Sequence, residues 1–491
     1  MSLPLTTLAV LARAVTAWPD AVAIEEDGLS WTFSELAARA RRAAAGLRQL
    51  GVRPGDRVAI QAPNVPGWVA AALGVHLAGA AIVPISTRYK GQETRDVVAR
   101  SGARVVVLVD GFLDLDLRGM LGAVDVPVVT PDALMAAEDD GVVVEVAEDM
   151  VSDVLFTSGT TGRSKGVLTT HAQTVRTFTT WADVVGLRAG DRYLVVNPFF
   201  HAFGYKAGWL ACLIAGATVL PMARFDAAEA LARVGRDRIS VLPGAPALYQ
   251  ALLAADRTGA DLSSLRLAVT GAAVIPVQLI HRMRDELGFR VVLTAYGLTE
   301  CTGVATMCRA GDDAETVATT SGRAIPGCEV RVVRADGAVV VGEPGEVQVR
   351  GDNVMLGYLD DPVATSEAVV EGWLRTGDIG VLDPRGYLRI TDRLKDLFIV
   401  GGFNASPAEI EHMLLEHPGV AEVAVVGVPD ARLGEVGRAF VVRRGTLDEA
   451  TLLTWARGRM ANFKVPRSVV FVDALPRNAA GKVVKGELRA R

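Results

Sequence analysis

The sequence predicts an α/β protein: a large N-terminal domain of α/β sheets with a small β-rich lobe, then a smaller α+β domain at the C-terminus. Three observations carry this. Short apolar runs alternate with helix-length segments from about residue 20 to 300, the pattern of strands covered by helices. From Gly322 the runs become short and turn-bounded (CEVRVV, EVQVRG, YLRI), which marks a β-rich lobe. Near Asp392 the character changes again, and the remaining segment carries strands and helices of its own. At 491 residues the chain is too long for one core, so the expected domains are 1–392 and 393–491.

Taken in order, MSLPLTTLAVLARAV places leucines at helical spacing before Trp18-Pro19-Asp20, predicting an amphipathic helix; it lacks the basic region and cleavage site of a secretory leader. Residues 20–60 read as a hairpin (AVAIEEDGLSWTF), an Ala/Arg-rich helix stopped at Gly51, and a strand after the Arg53-Pro54-Gly55-Asp56 turn. A helix through 69–77, a strand at 81–84, a helix over 91–100 and a strand ending at Asp110 follow. The apolar run 67–85 contains His76 and internal glycines and breaks at Pro84, which predicts a buried helix entering a strand and no membrane span. Residues 111–149 are acidic and weakly patterned, a peripheral connection. The VSDVLF strand at 151–156 leads into a glycine-rich loop. Beyond it YLVVNP (193–198), ATVLPM (217–222), ISVLPG (239–244), LRLAVTG (265–271) and RVVLTAYG (290–297) predict further strands, several ending in Pro or Gly where ligands gather. The C-terminal domain is expected to hold strands at AEVAVVGV, RAFVV and RSVVFV and helices over 407–416 and 448–460.

Composition narrows the function. Lys plus Arg at 51 against Asp plus Glu at 56 gives a net charge of -5 with no basic block, so no nucleic-acid partner is expected. Cys212, Cys301, Cys308 and Cys328 show no metal-binding spacing and read as reduced packing residues of a soluble cytoplasmic enzyme.

The chemistry centres on FTSGTTGRSKGV (156–167). Hydroxyls of Thr157, Ser158, Thr160, Thr161 and Ser164, with Gly159, Gly162 and Gly166, let donors converge on phosphate oxygens, and Lys165 adds a cation. The order Ser164-Lys165-Gly166 rules out a Walker A loop, which needs Gly-Lys before Ser or Thr. Other stretches act with it. YGLTE (296–300) offers Thr299 to a phosphate and the Glu300 carboxylate to Mg²⁺, a hard ion that prefers oxygen. In TGD, Asp378 can accept from both ribose hydroxyls. DRLKDLFIVGGFN supplies Arg393 and Lys395 with the pair Gly401 and Gly402, NPFFHAFG sets His201 among aromatics, and Gly271-Ala272-Ala273 ends a strand where a flat base fits.

With these motifs in this order, the chain resembles the adenylate-forming superfamily of acyl-CoA synthetases, peptide-synthetase adenylation domains and firefly luciferase, from about residue 20 to the end. The resemblance implies a mobile C-terminal domain and two half-reactions: a carboxylate attacks the α-phosphate of ATP, releasing pyrophosphate, and a thiol then displaces AMP. It implies that Thr157 to Lys165 bind the β- and γ-phosphates, Thr299 the α-phosphate, Glu300 the Mg²⁺, and Asp378 and Arg393 the ribose. Gly271 to Ala273 and Tyr296 would flank the adenine. Lys482 matches the catalytic lysine and Lys395 the hinge. Gly401 and Gly402 match the pantetheine tunnel, and Lys464 is a candidate contact for coenzyme A. His201, with Phe203, Tyr205 and Lys206, would border the acyl tunnel, where a lysine suits a polar acyl group such as a ketone or else points to solvent.

No carrier domain is visible, so free coenzyme A is the expected acceptor, and the partners are a small carboxylic acid, ATP and CoA, without integral membrane association. A homodimer is compatible with this. NPFFHAFGYKAG, TMCR, DDAETVATT and LPRNAAGK resemble actinobacterial ligases for the indanedione propionate derived from steroid C and D rings. The alternative acid is a medium-chain fatty or aryl acid. The alternative class is a catalytically silent nucleotide-binding module, against which Lys165, Glu300, Asp378, Arg393 and Lys482 stand together.

Overall fold

A computed structural model describes residues 4–89, 91–157, 164–271, 275–393, 396–400, 403–430, 433–460, 462–478 and 481–490. Its frame begins with helix packing. Helix Phe33–Gln49 opens on a reciprocal cap between Thr32 and Glu35, and its buried alanine face lies against helix Pro66–Leu77. The approach is close enough that a Cβ at Gly74 would lie 2.6 Å from the Ala43 Cβ, so only small residues serve on both sides.

Two sheets receive these helices. One has the strand order 357–358, 165–170, 151–157, 81–84, 57–61, 105–108, 128–129; its middle is parallel, and Val151–Thr157, Lys165–Thr170 and Gly357–Tyr358 run antiparallel. The second is built in two halves, around parallel strands Arg192–Val195 and Thr218–Pro221 and around parallel strands Leu267–Gly271 and Val291–Tyr296. The ISVLPG strand expected between them shrinks to a single bridging residue, Val241, which pairs with Tyr193 on one side and Leu267 on the other. Ile239, Val241 and Leu242 are fully buried all the same, and backbone hydrogen bonds tie the run to both halves: the Ser240 N–H donates to the Arg192 carbonyl on one side, and the Leu242 and Gly244 N–H groups donate to the Leu267 and Val269 carbonyls on the other.

The β-rich lobe is an antiparallel sheet of Val339–Val340, Cys328–Val333, Gly345–Gly351, Trp373–Leu382 and Val369–Val370, with Leu388–Arg393 pairing to Trp373–Leu382. The C-terminal segment has its own sheet, in which the long hairpin Val420–Asp430 and Gly434–Arg443 is flanked by Phe398–Val400 and Ser468–Phe471, and its own apolar core around Phe398, Ile410, Val425, Ala439 and Leu452. Residues 111–149 carry short helices, Leu117–Leu121 and Pro131–Met135, where sequence suggested a plain connection. No described helix is long and apolar enough to cross a membrane.

Candidate active site

The glycine-rich loop lies between two paired antiparallel strands. Strand Val151–Thr157 runs up to it and strand Lys165–Thr170 runs back, with Thr157 directly opposite Lys165 at its mouth. The returning strand is a feature that the glycines and hydroxyls of the loop hide in the sequence. Ser158, Gly159, Thr160, Thr161 and Gly162 lie outside the described residues. At the loop's exit Arg100 donates to the Ser164 carbonyl at 2.6 Å and lies 5.2 Å from the Phe156 ring centroid. The Lys165 ammonium stands 4.8 Å from the Tyr358 ring, and the Tyr358 hydroxyl donates to Glu300 Oε1 at 3.1 Å. Burial, then the Glu300 charge, pushes the Tyr358 hydroxyl well above its ordinary range, so it stays a donor. The structure thus gathers Lys165, Tyr358 and Glu300 in one corner. Thr299, Glu300 and Cys301 form a single tight turn after strand Val291–Tyr296.

A second corner forms beside it. The Tyr296 hydroxyl donates to Asp378 Oδ2 at 2.6 Å, and Asp378 stands opposite Arg393 in the ladder of the β-rich lobe. Burial and the Asp378 charge keep the Tyr296 hydroxyl protonated. The Arg393 side chain and residues Ala272 and Ala273 lie outside what is described. Gly271 ends its strand opposite Ala295, so close that a Cβ there would sit 2.6 Å from the Ala295 carbonyl oxygen. A planar donor ring, a carboxylate and side-chain-free backbone meet here, a set that suits a nucleoside.

The aromatic loop 197–204 is held from behind by Asn64. Its buried amide donates to the carbonyls of Val195 and Asn197 at 3.1 and 2.9 Å and accepts from the Phe199 N–H at 2.7 Å. His201 caps the short helix Ala202–Gly204, its Nδ1 accepting from the Phe203 N–H at 3.2 Å. The neutral ring therefore carries its proton on Nε2. Burial, with the Lys482 charge second, brings the His201 pKa down to about 4. Two readings of this loop require correction. Tyr205 is fully buried, stacked on Trp209 with ring centroids 5.0 Å apart, and so forms part of the core under the loop. Lys206 faces neither an acyl ketone nor solvent: it is fully buried against Asp153, because one residue beyond Tyr205 the helix turns its face to the phosphate hairpin. Phe203 is half-buried beside His201, in keeping with a wall position.

Lys482 is presented by a tight turn. Arg477 pairs with Val483, the Lys482 N–H donates to Asn478 Oδ1 at 2.9 Å, and Gly481 adopts φ +80°, which favours glycine. The side chain is exposed, and its charge is felt at the His201 ring. Lys464 is half-buried beside Phe463, at 5.6 Å from the ring centroid. Lys395, Gly401 and Gly402 lie outside the described residues. Sequence reasoning missed Asn64, Arg100, Asp153 and Tyr358, whose partners stand tens of residues or more away in the chain. A polar residue set among the apolar residues of APNVPGW is the one signal that could have flagged Asn64.

Comparison with known proteins shows the family. The family described as AMP-binding enzyme matches residues 11–359, and the AMP-binding enzyme C-terminal domain matches 409–482. A 3-[(3aS,4S,7aS)-7a-methyl-1,5-dioxo-octahydro-1H-inden-4-yl]propanoyl:CoA ligase of Rhodococcus jostii (strain RHA1) is 50% identical over 99% of this chain and 98% of its own. The ligase of the same name from Mycobacterium tuberculosis (strain ATCC 25618 / H37Rv) is 52% identical, again over 99% and 98%. Among solved structures, an anthranilate CoA ligase in complex with anthranoyl-AMP superposes with a TM-score of 0.91 at 28% identity, covering 100% of this chain and 98% of the other. The chain belongs to the AMP-binding enzyme family.

Proposed function

We propose that the acid activated by this AMP-forming acyl-CoA ligase is the bicyclic dioxo-octahydroindenyl propanoate for which its 50% and 52% identical relatives are named. The observation that carries this is similarity along the whole chain at that identity. In the first half-reaction a carboxylate oxygen bonds to the α-phosphorus of ATP and pyrophosphate leaves. In the second the sulfur of coenzyme A bonds to the acyl carbon and AMP leaves. Both reactants of the first step are anionic, so stabilising the charge they share is the central task.

The residues take these roles in our reading. Thr157, the loop after it (Ser158, Gly159, Thr160, Thr161) and Lys165 hold the β- and γ-phosphates, and Thr299 the α-phosphate. Tyr296 and Gly271 to Ala273 flank the base, while Asp378, oriented by Tyr296 at 2.6 Å, binds the ribose with Arg393. Glu300 is a hard oxygen donor steadied by Tyr358, which suits it to hold Mg²⁺ together with the nucleotide's own phosphates, where the ion would neutralise phosphate charge. His201, with Nε2–H free of its cap, borders the acid beside Phe203. Lys482 reaches between carboxylate and α-phosphate. The C-terminal domain, residues 393–491, would pivot at Lys395 to bring Gly401, Gly402 and Lys464 to coenzyme A. A cytoplasmic setting and a homodimer complete the reading.

ATP/pyrophosphate exchange with the purified chain and a panel of acids tests it. We expect exchange with the bicyclic keto acid well above that with straight-chain and aryl acids. Preference for a medium-chain fatty or aryl acid would overturn the substrate.

A further inference from the structure

One buried ion pair has no part in the roles above. Lys206 Nζ lies 2.9 Å from Asp153 Oδ1, with neither side chain exposed, and donates to Thr169 Oγ1 at 3.0 Å. Asp153 is saturated by other donors: the Thr169 hydroxyl at 2.6 Å, the Ser152 hydroxyl at 2.7 Å and the Thr174 hydroxyl at 3.3 Å. The Ser152 carbonyl in turn accepts from His76 Nε2 at 3.0 Å. This network touches five elements at once: both strands of the hairpin around the glycine-rich loop, helix Pro66–Leu77 through His76, helix His171–Val185, and the wide-turned helix Tyr205–Leu210 that follows the aromatic loop.

Its position is specific. Asp153 and Thr169 are paired across the hairpin, four residues below the rung where Thr157 faces Lys165 at the mouth of the phosphate loop. Lys206 sits five residues after His201, in the first turn of a π-helix whose backbone breaks at Gly208 (φ -89°, ψ -105°). Wide turns of this kind re-aim side chains and recur at functional sites. A fully buried ammonium is a poor choice for filling space, since an apolar pair of similar volume generally folds as well. What the pair supplies is direction: each charge accepts or donates along fixed lines, so the helix cannot slide against the hairpin without breaking several bonds.

We propose that Lys206 is a positioning residue for adenylation, fixing the aromatic loop and His201 against the phosphate hairpin so that the acid's carboxylate meets the α-phosphate in line. This rests on the ligase reading above. It makes the Lys206–Asp153 contact the link between the acid side and the phosphate side of the reaction, and it predicts that loosening the link slows the first half-reaction while leaving the second nearly intact.

The test compares wild type with Lys206→Met/Asp153→Asn, which removes both charges and so leaves no unpaired ion. We expect a melting temperature close to wild type and ATP binding within about threefold, with kcat for adenylation down roughly tenfold or more, as for other small misplacements of reacting groups. Thioester formation from preformed acyl-adenylate should stay near the wild-type rate. A double variant that adenylates at the wild-type rate, or that loses both half-reactions equally, overturns the proposal. Should the double variant fail to fold, Thr169→Val removes only the hydroxyl between the two charges. It should lower kcat several-fold with KM for ATP unchanged, and Thr169→Ser should restore it; an unchanged kcat in Thr169→Val overturns the proposal. Wild-type silence with every acid would sink the ligase reading and this inference together, whereas an active wild type with unaffected variants sinks this inference alone.

Discussion

Lys482 stands on a turn beside Gly481, which adopts φ +80°, and its exposed ammonium lowers the proton affinity of the His201 ring. Its proposed role is to sit between two anions as they bond, so Lys482→Ala should lower single-turnover adenylation by about 10²-fold, the effect of deleting one preorganised donor. The reaction of preformed acyl-adenylate with coenzyme A should be much less affected; equal loss in both steps would remove the role. At this scale the sequence was informative where a residue acts through its own chemistry. Tyr296, Asp378, Glu300, Lys165 and Lys482 were all read as candidates from motif and residue type, and the structure pairs Tyr296 with Asp378 and places Glu300 and Lys165 about Tyr358. Lys206 went astray for the opposite reason. Its direction depends on Asp153, 53 positions earlier, and no local pattern encodes that encounter.

Single elements set the precision of the site. The aromatic loop folds back so tightly on itself that a Cβ at Gly204 would lie 2.2 Å from the Pro198 carbonyl oxygen and 2.3 Å from that of Asn197. Gly204→Ala must push the loop outward. Overpacking of this kind costs about 1–3 kcal/mol, and shifting His201 by even an ångström can cost about 10²-fold in rate. The expected outcome is a lower Tm together with a loss of pyrophosphate exchange larger than the loss of ATP binding. Most strands were legible, since buried parallel strands write themselves as apolar runs. Two were not. The strand Lys165–Thr170 begins with a lysine and a glycine and ends in threonines, so it reads as more of the loop. Residues 239–244 read as a strand and do hydrogen-bond to both neighbouring strands, but they form a paired bridge at Val241 alone, and Pro243 has no N–H to give a longer ladder.

For the whole molecule, three buried histidines act on acid stability. His76 and His201 are each brought from 6.5 down to about 4, chiefly by burial, and His171 well below its ordinary value for the same reason. At these sites, between about pH 6.5 and 4, the unfolded chain binds protons that the folded chain refuses, so they contribute stability that rises with pH; Glu26, which burial raises to about 7, acts the other way between about pH 4.5 and 7. Urea titrations should show the midpoint falling steadily from pH 6.5 towards 4. His76→Gln should flatten part of that slope, and an unchanged slope would show that carboxylates dominate instead. The changes of strand rhythm suggested a division into a large domain, a β-rich lobe and a C-terminal segment; the described residues of that last segment hold an apolar core around Phe398 and Leu452. How the lobes meet was not visible, because it rests on contacts such as the Ser406 hydroxyl with the Thr391 carbonyl at 3.2 Å.

The cap on His201 gives the enzyme a built-in reporter. With Nδ1 engaged by the Phe203 N–H, the ring's proton affinity answers to how dry the loop is and to whether the Lys482 ammonium is near. Should the C-terminal domain swing away, the imidazole would regain some basicity, and its NMR resonance would move with each pivot. A ring at the edge of the acyl site could then time the alternation between the two half-reactions.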